Sequence, residues 1–327
     1  MKICLTANSG GHINELIQLK NYYDNHDVFF ITDRNPLSIE LSQKNKVYFV
    51  EKFIFKEVIR KLQFFKPVKN FFQSFCIIIK EKPDAVITTG AGVALGSWLS
   101  AKILFKKNIF IESAARIKTP STYGKYIGAR SDAVIVQWNQ LRPFFKSPIY
   151  GGLVFNFDNR IKYKSPKQIK TIFVTTGTYK LQFNRIFMEL DRIMASGKTG
   201  YSIAAQIGES GYTPQHYKSF RYCSQTEVHK YIDESDLVIC QGGCGSIMDS
   251  LLRGKRVIAI PRLPEFKEYF DDHQVELVSE LEQAGLILGV YDIHTLGDTI
   301  KKAALFRPDF KKLSNSNYDR ILKEIIG

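Results

Sequence analysis

Three stretches set glycines between a strand-like run and a helix-like run: ANSGGHINEL from residue 7, TTGAGVALGSW from residue 88 and QGGCGSIMDSL from residue 241. Glycine lets the backbone approach a ligand closely, and the helix that follows presents N–H groups with no partner of their own, so each turn suits a phosphate or carboxylate. The third has the fullest set. Gly242, Gly243 and Gly245 leave room for an anion, Ser246 adds a hydroxyl at the helix start, and Asp249 lies one turn on, where a carboxylate suits ribose hydroxyls. His273 and Gln274 open a later helix whose first turn is expected to face the same side. The bland alternatives make Asp249 a solvated acid, His273 a capping residue and Gly90–Gly96 mere packing allowances.

Some chemistries are excluded by spacing. GAGVALG is one residue longer than the dinucleotide fingerprint, and no G-x-x-x-x-G-K-S/T occurs. No D-x-D occurs either, which argues against a nucleotide diphosphate held through a metal. The five cysteines are odd in number and scattered, as reduced cytosolic thiols would be. Cys240 and Cys244 with His229 match no zinc spacing, so no metal or cofactor is expected.

The elements that must carry these turns alternate. KICLTA, DVFFIT, KVYFV, DAVITT, NIFIES and DAVIVQ read as strands, with helices over 13–24, 53–80 and 92–105. The scheme repeats as KTIFVTT, GYSIAA, FRYC, DLVICQ and KRVIAIP, with helices over 181–195, 224–234, 246–253 and 268–284. The expected fold class is α/β, with two parallel sheets meeting across a cleft at the carboxyl ends of their strands. The basic, aperiodic stretch 155–168 is the expected linker between domains 1–160 and 168–327.

Charge separates the halves. Residues 1–165 hold 25 Lys and Arg against 12 Asp and Glu, a net +13, whereas 166–327 hold 21 against 20. The first half is therefore expected to face an anionic partner: lipid, nucleic acid or a pyrophosphate. Neither aromatic–basic platforms nor a reader fold is present to favour nucleic acid. No run of about 18 uncharged apolar residues predicts a membrane span. The N-terminal apolar stretch reads as a strand, not a signal peptide.

Taken together, these stretches resemble a known family. DLVICQGGCGSIMDSLLRGKRVIAIPR, EYFDDHQVELVSELEQAGLI and FVTTGT resemble the donor half of MurG-type GT-B transferases and the catalytic subunit of the two-part dolichol-pathway GlcNAc transferase. ANSGGHINEL, DAVITTGAGVALGSWLSAKI and FIESAARIKTPSTYGKYIGARSDAVIVQW resemble its membrane-recruiting companion. The chain is similar to a fusion of the two, of the kind found in bacterial polysaccharide synthesis. The resemblance implies a cytoplasmic, metal-independent, inverting GT-B glycosyltransferase, peripheral on the inner membrane face. It would move sugar from a UDP-sugar to a polyprenyl-pyrophosphate-linked saccharide with a β bond, alongside other polysaccharide-assembly enzymes. It implies donor contacts at Thr176, Gly177, Thr178, Gln241, Gly242, Gly243, Gly245, Ser246, Asp249, His273 and Gln274. Cys244 stands where the family has an alanine-type residue and is expected to narrow the donor pocket.

Such a transfer needs a base for the acceptor hydroxyl and stabilisation of the departing UDP. His12 is the expected base and Glu112, ending NIFIES, its orienting carboxylate; Glu112 or Glu15 acting as base is the alternative. Ser9, Gly10, Gly11 and Arg116 are expected on the acceptor pyrophosphate, unless Arg116 and Glu112 form a structural ion pair. Residues 51–83 mix Phe, Ile and Leu with Lys and Arg, and a helix broken at Pro67 is expected to contact anionic lipid. Two other readings compete. One is a non-catalytic nucleotide-sugar-binding subunit, the other an NAD-dependent sugar oxidoreductase or epimerase.

Overall fold

Runs such as KICLTA and LVICQ are buried at nearly every position, as strands covered by helices on both faces must be. The computed structural model describes residues 1–53, 63–155, 157, 168–197, 199–310 and 317–327. Its contacts divide the chain into two units, Met1–Asn156 with Ser314–Gly327, and Phe157–Leu313.

In the first unit β1 (Lys2–Ala7), β2 (Asp27–Thr32), β3 (Lys46–Phe49), β4 (Ala85–Gly90), β5 (Lys107–Ile111), β6 (Ala133–Val136) and β7 (Ile149–Tyr150) build one sheet. Its order is β3-β2-β1-β4-β5-β6-β7, and all pairings are parallel. The helices are α1 (Gly11–Ile17), α2 (Lys20–Tyr23), α3 (Pro36–Ser42), α4 (Phe65–Glu81), α5 (Gly92–Ile103) and α6 (Thr122–Tyr126). Cys4, Phe29, Ile31 and Val86 of the sheet pack with Ile78, Val93 and Ala101 of the helices.

In the second unit β8 (Thr171–Thr175), β9 (Ser202–Gln206), β10 (Lys218–Phe220), β11 (Leu237–Gln241), β12 (Arg256–Ile260) and β13 (Leu288–Gly289) run in the order β10-β9-β8-β11-β12-β13, again parallel. Its helices are α7 (Asn184–Ala195), α8 (Gln225–Glu234), α9 (Cys244–Leu252), α10 (His273–Gln283) and α11 (Leu296–Ala303). The amphipathic α7 buries Ile186, Phe187, Leu190 and Ile193 on Ile172, Val174 and Ile239. Each sheet reverses direction of growth beside its first strand, at β1/β4 and at β8/β11. Open parallel sheets bind ligands at that switch point, beyond the carboxyl ends of the strands.

The α/β alternation is as the sequence predicts, with several differences. The helix expected over 13–24 is two, α1 and α2. Pro67 does not break a helix; it sits in the first turn of α4, where its missing N–H and fixed φ are tolerated. Residues 54–62, also expected in that helix, and most of the expected linker, Asn156 and 158–167, lie outside the described residues. The two-residue edge strands β7 and β13 are too short to carry a periodic signal.

The last helix, α12 (Tyr318–Ile326), was expected with the second half and instead packs on the first unit. Tyr318 is buried and its hydroxyl donates to the Gly152 carbonyl at 3.1 Å. Leu322 is fully buried beside it. Both tryptophans, Trp98 and Trp138, lie in the first unit, so their fluorescence reports on that unit alone. Leu322→Ala is expected to cost about 2–5 kcal/mol and lower the denaturant midpoint followed by tryptophan fluorescence. An unmoved midpoint would place α12 elsewhere.

Candidate active site

At the first switch point the chain leaves β1 through Asn8, Ser9, Gly10 and Gly11 into α1. Gly10 has φ +105°, a conformation that L side chains rarely adopt. The turn is pinned on two sides. Ser9 donates to Asp33 through both its backbone N–H and its hydroxyl, each at 2.6 Å, and Asn8 Oδ1 accepts from Val93 N–H at the start of α5 at 2.9 Å. Lys52 Nζ lies 3.0 Å from Asp33. Burial pushes the Asp33 carboxyl up, but the Ser9 bonds and the Lys52 charge outweigh it and hold it below the usual range.

His12 follows this turn. Its carbonyl accepts from Thr89 Oγ1 at 3.1 Å, while its ring Nδ1 is buried with no hydrogen-bond partner. Burial, then the charges of Arg116 and Lys52, pull the imidazole down to about 4 against an opposing bond that the ring donates to the Thr89 backbone. At neutral pH the ring is therefore uncharged, the form that can take a proton.

The two acids are held by partners other than His12. Glu112 spends its carboxylate on the N–H groups of Ser113 and Ser121, both at 3.1 Å. The His12–Glu112 hydrogen bond is not formed; a carboxylate buried at a strand end is claimed first by the amides of its own loop. Glu15 is likewise buried. It accepts from Ser113 Oγ at 2.8 Å, Ala114 N–H at 3.1 Å and Gln137 Nε2 at 2.6 Å, tying α1 to the ends of β5 and β6. Burial raises both carboxyls, Glu15 to about 7, with Glu112 adding to the rise at Glu15. Arg116, half-buried, bears electrostatically on both His12 and Glu112.

At the second switch point Thr176, Gly177 and Thr178 follow β8, and Gln241–Ser246 follow β11. Gly177 has φ +66°, and a Cβ there would lie 2.4 Å from Gln241 Nε2. Gln241 Nε2 donates to Ser246 Oγ at 3.1 Å, and its Oε1 is buried without a partner. This side chain couples the two loops. Gly242 admits α10: a Cβ there would meet Val278 at 2.9 Å and Gln274 at 3.0 Å. Gly243 is the N-cap residue of α9, and no side chain caps that helix, whose first-turn amides include those of Gly245 and Ser246.

Asp249 is not a plain solvated acid. One carboxylate oxygen meets His229 Nε2 at 3.1 Å and Gln225 Nε2 at 3.2 Å, and the other lies 3.5 Å from Arg253 Nε. Gln274 is buried and accepts the Arg262 N–H at 3.0 Å, so its carboxamide holds the loop after β12. His273 Nδ1 pairs with Asp271. Cys244 is buried at the start of α9.

Sequence reading missed Asp33, Lys52 and Arg262, and weighed His229 only as a metal ligand. Asp33 had a signal, an acid at the end of β2 beside a glycine turn. The others depend on loops that only folding brings together. Arg262 is fully buried, donates to the carbonyls of Leu181, Gln182 and Thr176 at 3.0, 2.9 and 3.2 Å, and is pulled down to about 10 by burial.

Residues 171–325 match the glycosyltransferase family 28 C-terminal domain, and residues 3–154 match the family described as oligosaccharide biosynthesis protein Alg14 like. The chain joins an Alg14-like domain to a glycosyltransferase family 28 C-terminal domain. It is 27% identical over 179 residues to the UDP-N-acetylglucosamine transferase subunit ALG14 of Homo sapiens, covering 47% of this chain and 83% of that one. It is 25% identical over 300 residues to the UDP-N-acetylglucosamine--N-acetylmuramyl-(pentapeptide) pyrophosphoryl-undecaprenol N-acetylglucosamine transferase of Flavobacterium psychrophilum, covering 82% of this chain and 78% of the relative. The crystal structure of Acinetobacter baumannii MurG is similar with a TM-score of 0.65, at 16% identity over 99% of this chain and 98% of that one. The fold is GT-B. The Alg14-like half thus carries His12 and its acids, and the family 28 half carries the Gln241–Asp249 segment.

Glu15 gives a test of the buried acid network. Its carboxyl titrates near 7 in the folded chain against an ordinary 4.5. Its contribution to stability is therefore full below about pH 4.5 and is lost as pH rises through about 7. In Glu15→Gln the tryptophan-monitored stability is expected to lose that component of its pH slope. Parallel slopes in variant and parent would show that Glu15 is ionised throughout.

Proposed function

We propose that the chain transfers a sugar from a UDP-sugar to a lipid-linked saccharide, the family 28 half holding the donor and the Alg14-like half the acceptor and the base. The observation that carries this is the presence on one chain of both domains, each with its glycine turn and polar groups at the switch point of its own sheet. UDP-GlcNAc is the first donor to try, because the relatives' names share it.

The His12 imidazole takes the acceptor hydroxyl's proton as that oxygen bonds C1, and the C1–O bond to UDP breaks with its electron pair leaving on the diphosphate. Attack from the face opposite UDP inverts the anomeric centre and gives a β bond. Glu15 and Glu112, both buried, brace the loops after β5 and β6 in the same half. Arg116 and Lys52, beside the Ser9–Gly11 turn, suit the acceptor's pyrophosphate. The α9 N-terminus, Ser246 and the Thr176–Thr178 loop meet the charge of the departing UDP, a role that asks for no metal. Asp249 accepts from the ribose, held in place by His229 and Gln225.

The first unit also suits a lipid surface. The face of α4 turned inward carries Asn70, Ser74, Ile78 and Glu81, while Phe65, Val68, Phe72 and Ile79 are exposed. Asn70 enters the contact with α5 at Gly96, where a Cβ would lie 2.2 Å from its Oδ1. Leu99, Ile103 and Phe105 are exposed at α5 and just beyond it. Such a helix presents apolar rings outward with Lys66, Lys69 and Lys80 among them, a pattern for lying in a membrane interface beside anionic headgroups. No helix among the described residues is long and apolar enough to cross a membrane. We further propose that the enzyme works at the inner membrane face in cell-surface polysaccharide synthesis, and this surface supports the membrane contact.

Two measurements test the proposal. UDP release across a panel of UDP-sugars with a synthetic prenyl-pyrophosphate glycan is expected for one donor, and His12→Ala is expected to lower it by at least about 100-fold. Because the imidazole sits near 4, the acid limb of kcat/KM is expected below pH 5, well under an ordinary histidine. Full turnover in His12→Ala would move the base elsewhere. Binding to anionic liposomes is expected to be salt-sensitive and to weaken roughly 100-fold in the Phe65→Ser, Phe72→Ser double variant. Unchanged partition would remove α4 from the membrane contact.

A further inference from the structure

The carboxyl ends of β8 and β12 flank β11 and its glycine turn, and both are followed by aromatic residues that the donor scheme above leaves unused. Tyr179 follows β8; Tyr269 and Phe270 follow β12. Tyr179 packs on Tyr269 with ring centroids 4.7 Å apart, and Tyr269 stacks on Phe270 at 4.4 Å with planes 25° apart. The His273 ring meets Tyr269 edge-on at 4.9 Å. The rings form one continuous shelf, yet Tyr179 is 37% exposed and Phe270 60% exposed.

The shelf is fixed from behind. Arg262 binds the carbonyls of Thr176, Leu181 and Gln182, on both sides of Tyr179, and its guanidinium lies 5.8 Å from the Tyr179 ring. Gln274 in turn holds the Arg262 N–H. Buried hydrogen bonds therefore hold in place an apolar surface that faces solvent, at the sheet edge where such folds take ligands.

A hexopyranose is the ligand chemistry that fits. One of its faces is lined by C–H bonds and its rim by hydroxyls, so it lays apolar area on flat rings and keeps its polar groups at the edge, where His273 stands. We propose that the Tyr179–Tyr269–Phe270 shelf stacks on the apolar face of a hexopyranose and reads the sugar rather than the nucleotide. The inference rests on the family 28 half being the UDP-sugar site. The pyranose is that of the donor or of the acceptor saccharide, and both present the same face.

The full-length protein is titrated calorimetrically with UDP and with UDP-GlcNAc, and the acceptor KM is measured with the synthetic prenyl-pyrophosphate glycan. In Tyr179→Ala and Phe270→Ala, UDP-GlcNAc is expected to bind about tenfold more weakly with UDP unchanged, while Tyr179→Phe, which keeps the ring face, stays at the parent value. A tenfold rise in acceptor KM with donor binding unchanged also supports the shelf and assigns it to the acceptor sugar. Equal weakening of UDP and UDP-GlcNAc would overturn the inference in favour of a nucleotide contact, and so would no change in any of the three. Parent protein that binds neither UDP nor UDP-GlcNAc would instead sink the UDP-sugar reading itself. Matched thermal unfolding of the variants separates these results from misfolding.

Discussion

Gly177 follows β8 and Gln241 ends the neighbouring β11, and the space a Cβ would take on the first is filled by the carboxamide of the second. That close approach is the constraint on which the second unit's site depends. It holds the loop after β8 against the turn after β11, so backbone N–H groups and the Ser246 hydroxyl gather in one place. The first unit solves the same problem differently. Nothing crowds Gly10; Ser9 is tied to Asp33 and Asn8 to α5, so the turn is fixed by side-chain bonds rather than by contact. Both solutions follow from parallel sheets that reverse order beside their first strand and leave the loop ends no other neighbours there.

At His12, Glu15 and Glu112 the electrostatics follow from burial more than from pairing, the reverse of Asp33. Two carboxyls and a histidine are buried in this unit, and the charges of Arg116 and Lys52 act on that histidine. Desolvation disfavours charge on every one of the buried groups, raising the acids and lowering the imidazole. The result at neutral pH is an uncharged ring facing a region of positive potential from Arg116 and Lys52. An anionic substrate suits that field, and its own charge would lift the imidazole back toward proton-accepting strength. In the second unit one deeply buried cation, Arg262, is spent on three carbonyls and so organises a loop.

Apolar surface is distributed in an equally specific way. In α4 the polar side chains turn inward because α5 approaches too closely at Gly96 for anything larger than Asn70 and Ser74 to pack well. The rings displaced outward give the Alg14-like half its apolar exterior. In the family 28 half the exposed Tyr179 and Phe270 rings follow the strands on either side of β11, where a sugar rather than a lipid is the proposed ligand. The same class of side chain therefore points to two different ligands, according to whether a basic helix face or a strand-end turn surrounds it.

The sequence by itself determined the α/β alternation, the glycine turns and the two-part organisation. Strands buried on both faces read as short apolar runs, and turns that need positive φ or close approach need glycine. The motifs of both halves were legible for the same reason, since each is a local strand–turn–helix unit. Tertiary structure alone decided the rest. Glu112 faces its own loop amides rather than His12, Gln274 serves the Arg262 backbone, and α12 leaves the second half to pack on the first. Those outcomes depend on which buried groups compete for the same partner, and a linear chain does not show the competitors. The strand order and the inward polar face of α4 belong to the same class. They are set by contacts between residues far apart in sequence, whose volumes and hydrogen bonds meet only once the sheet has formed.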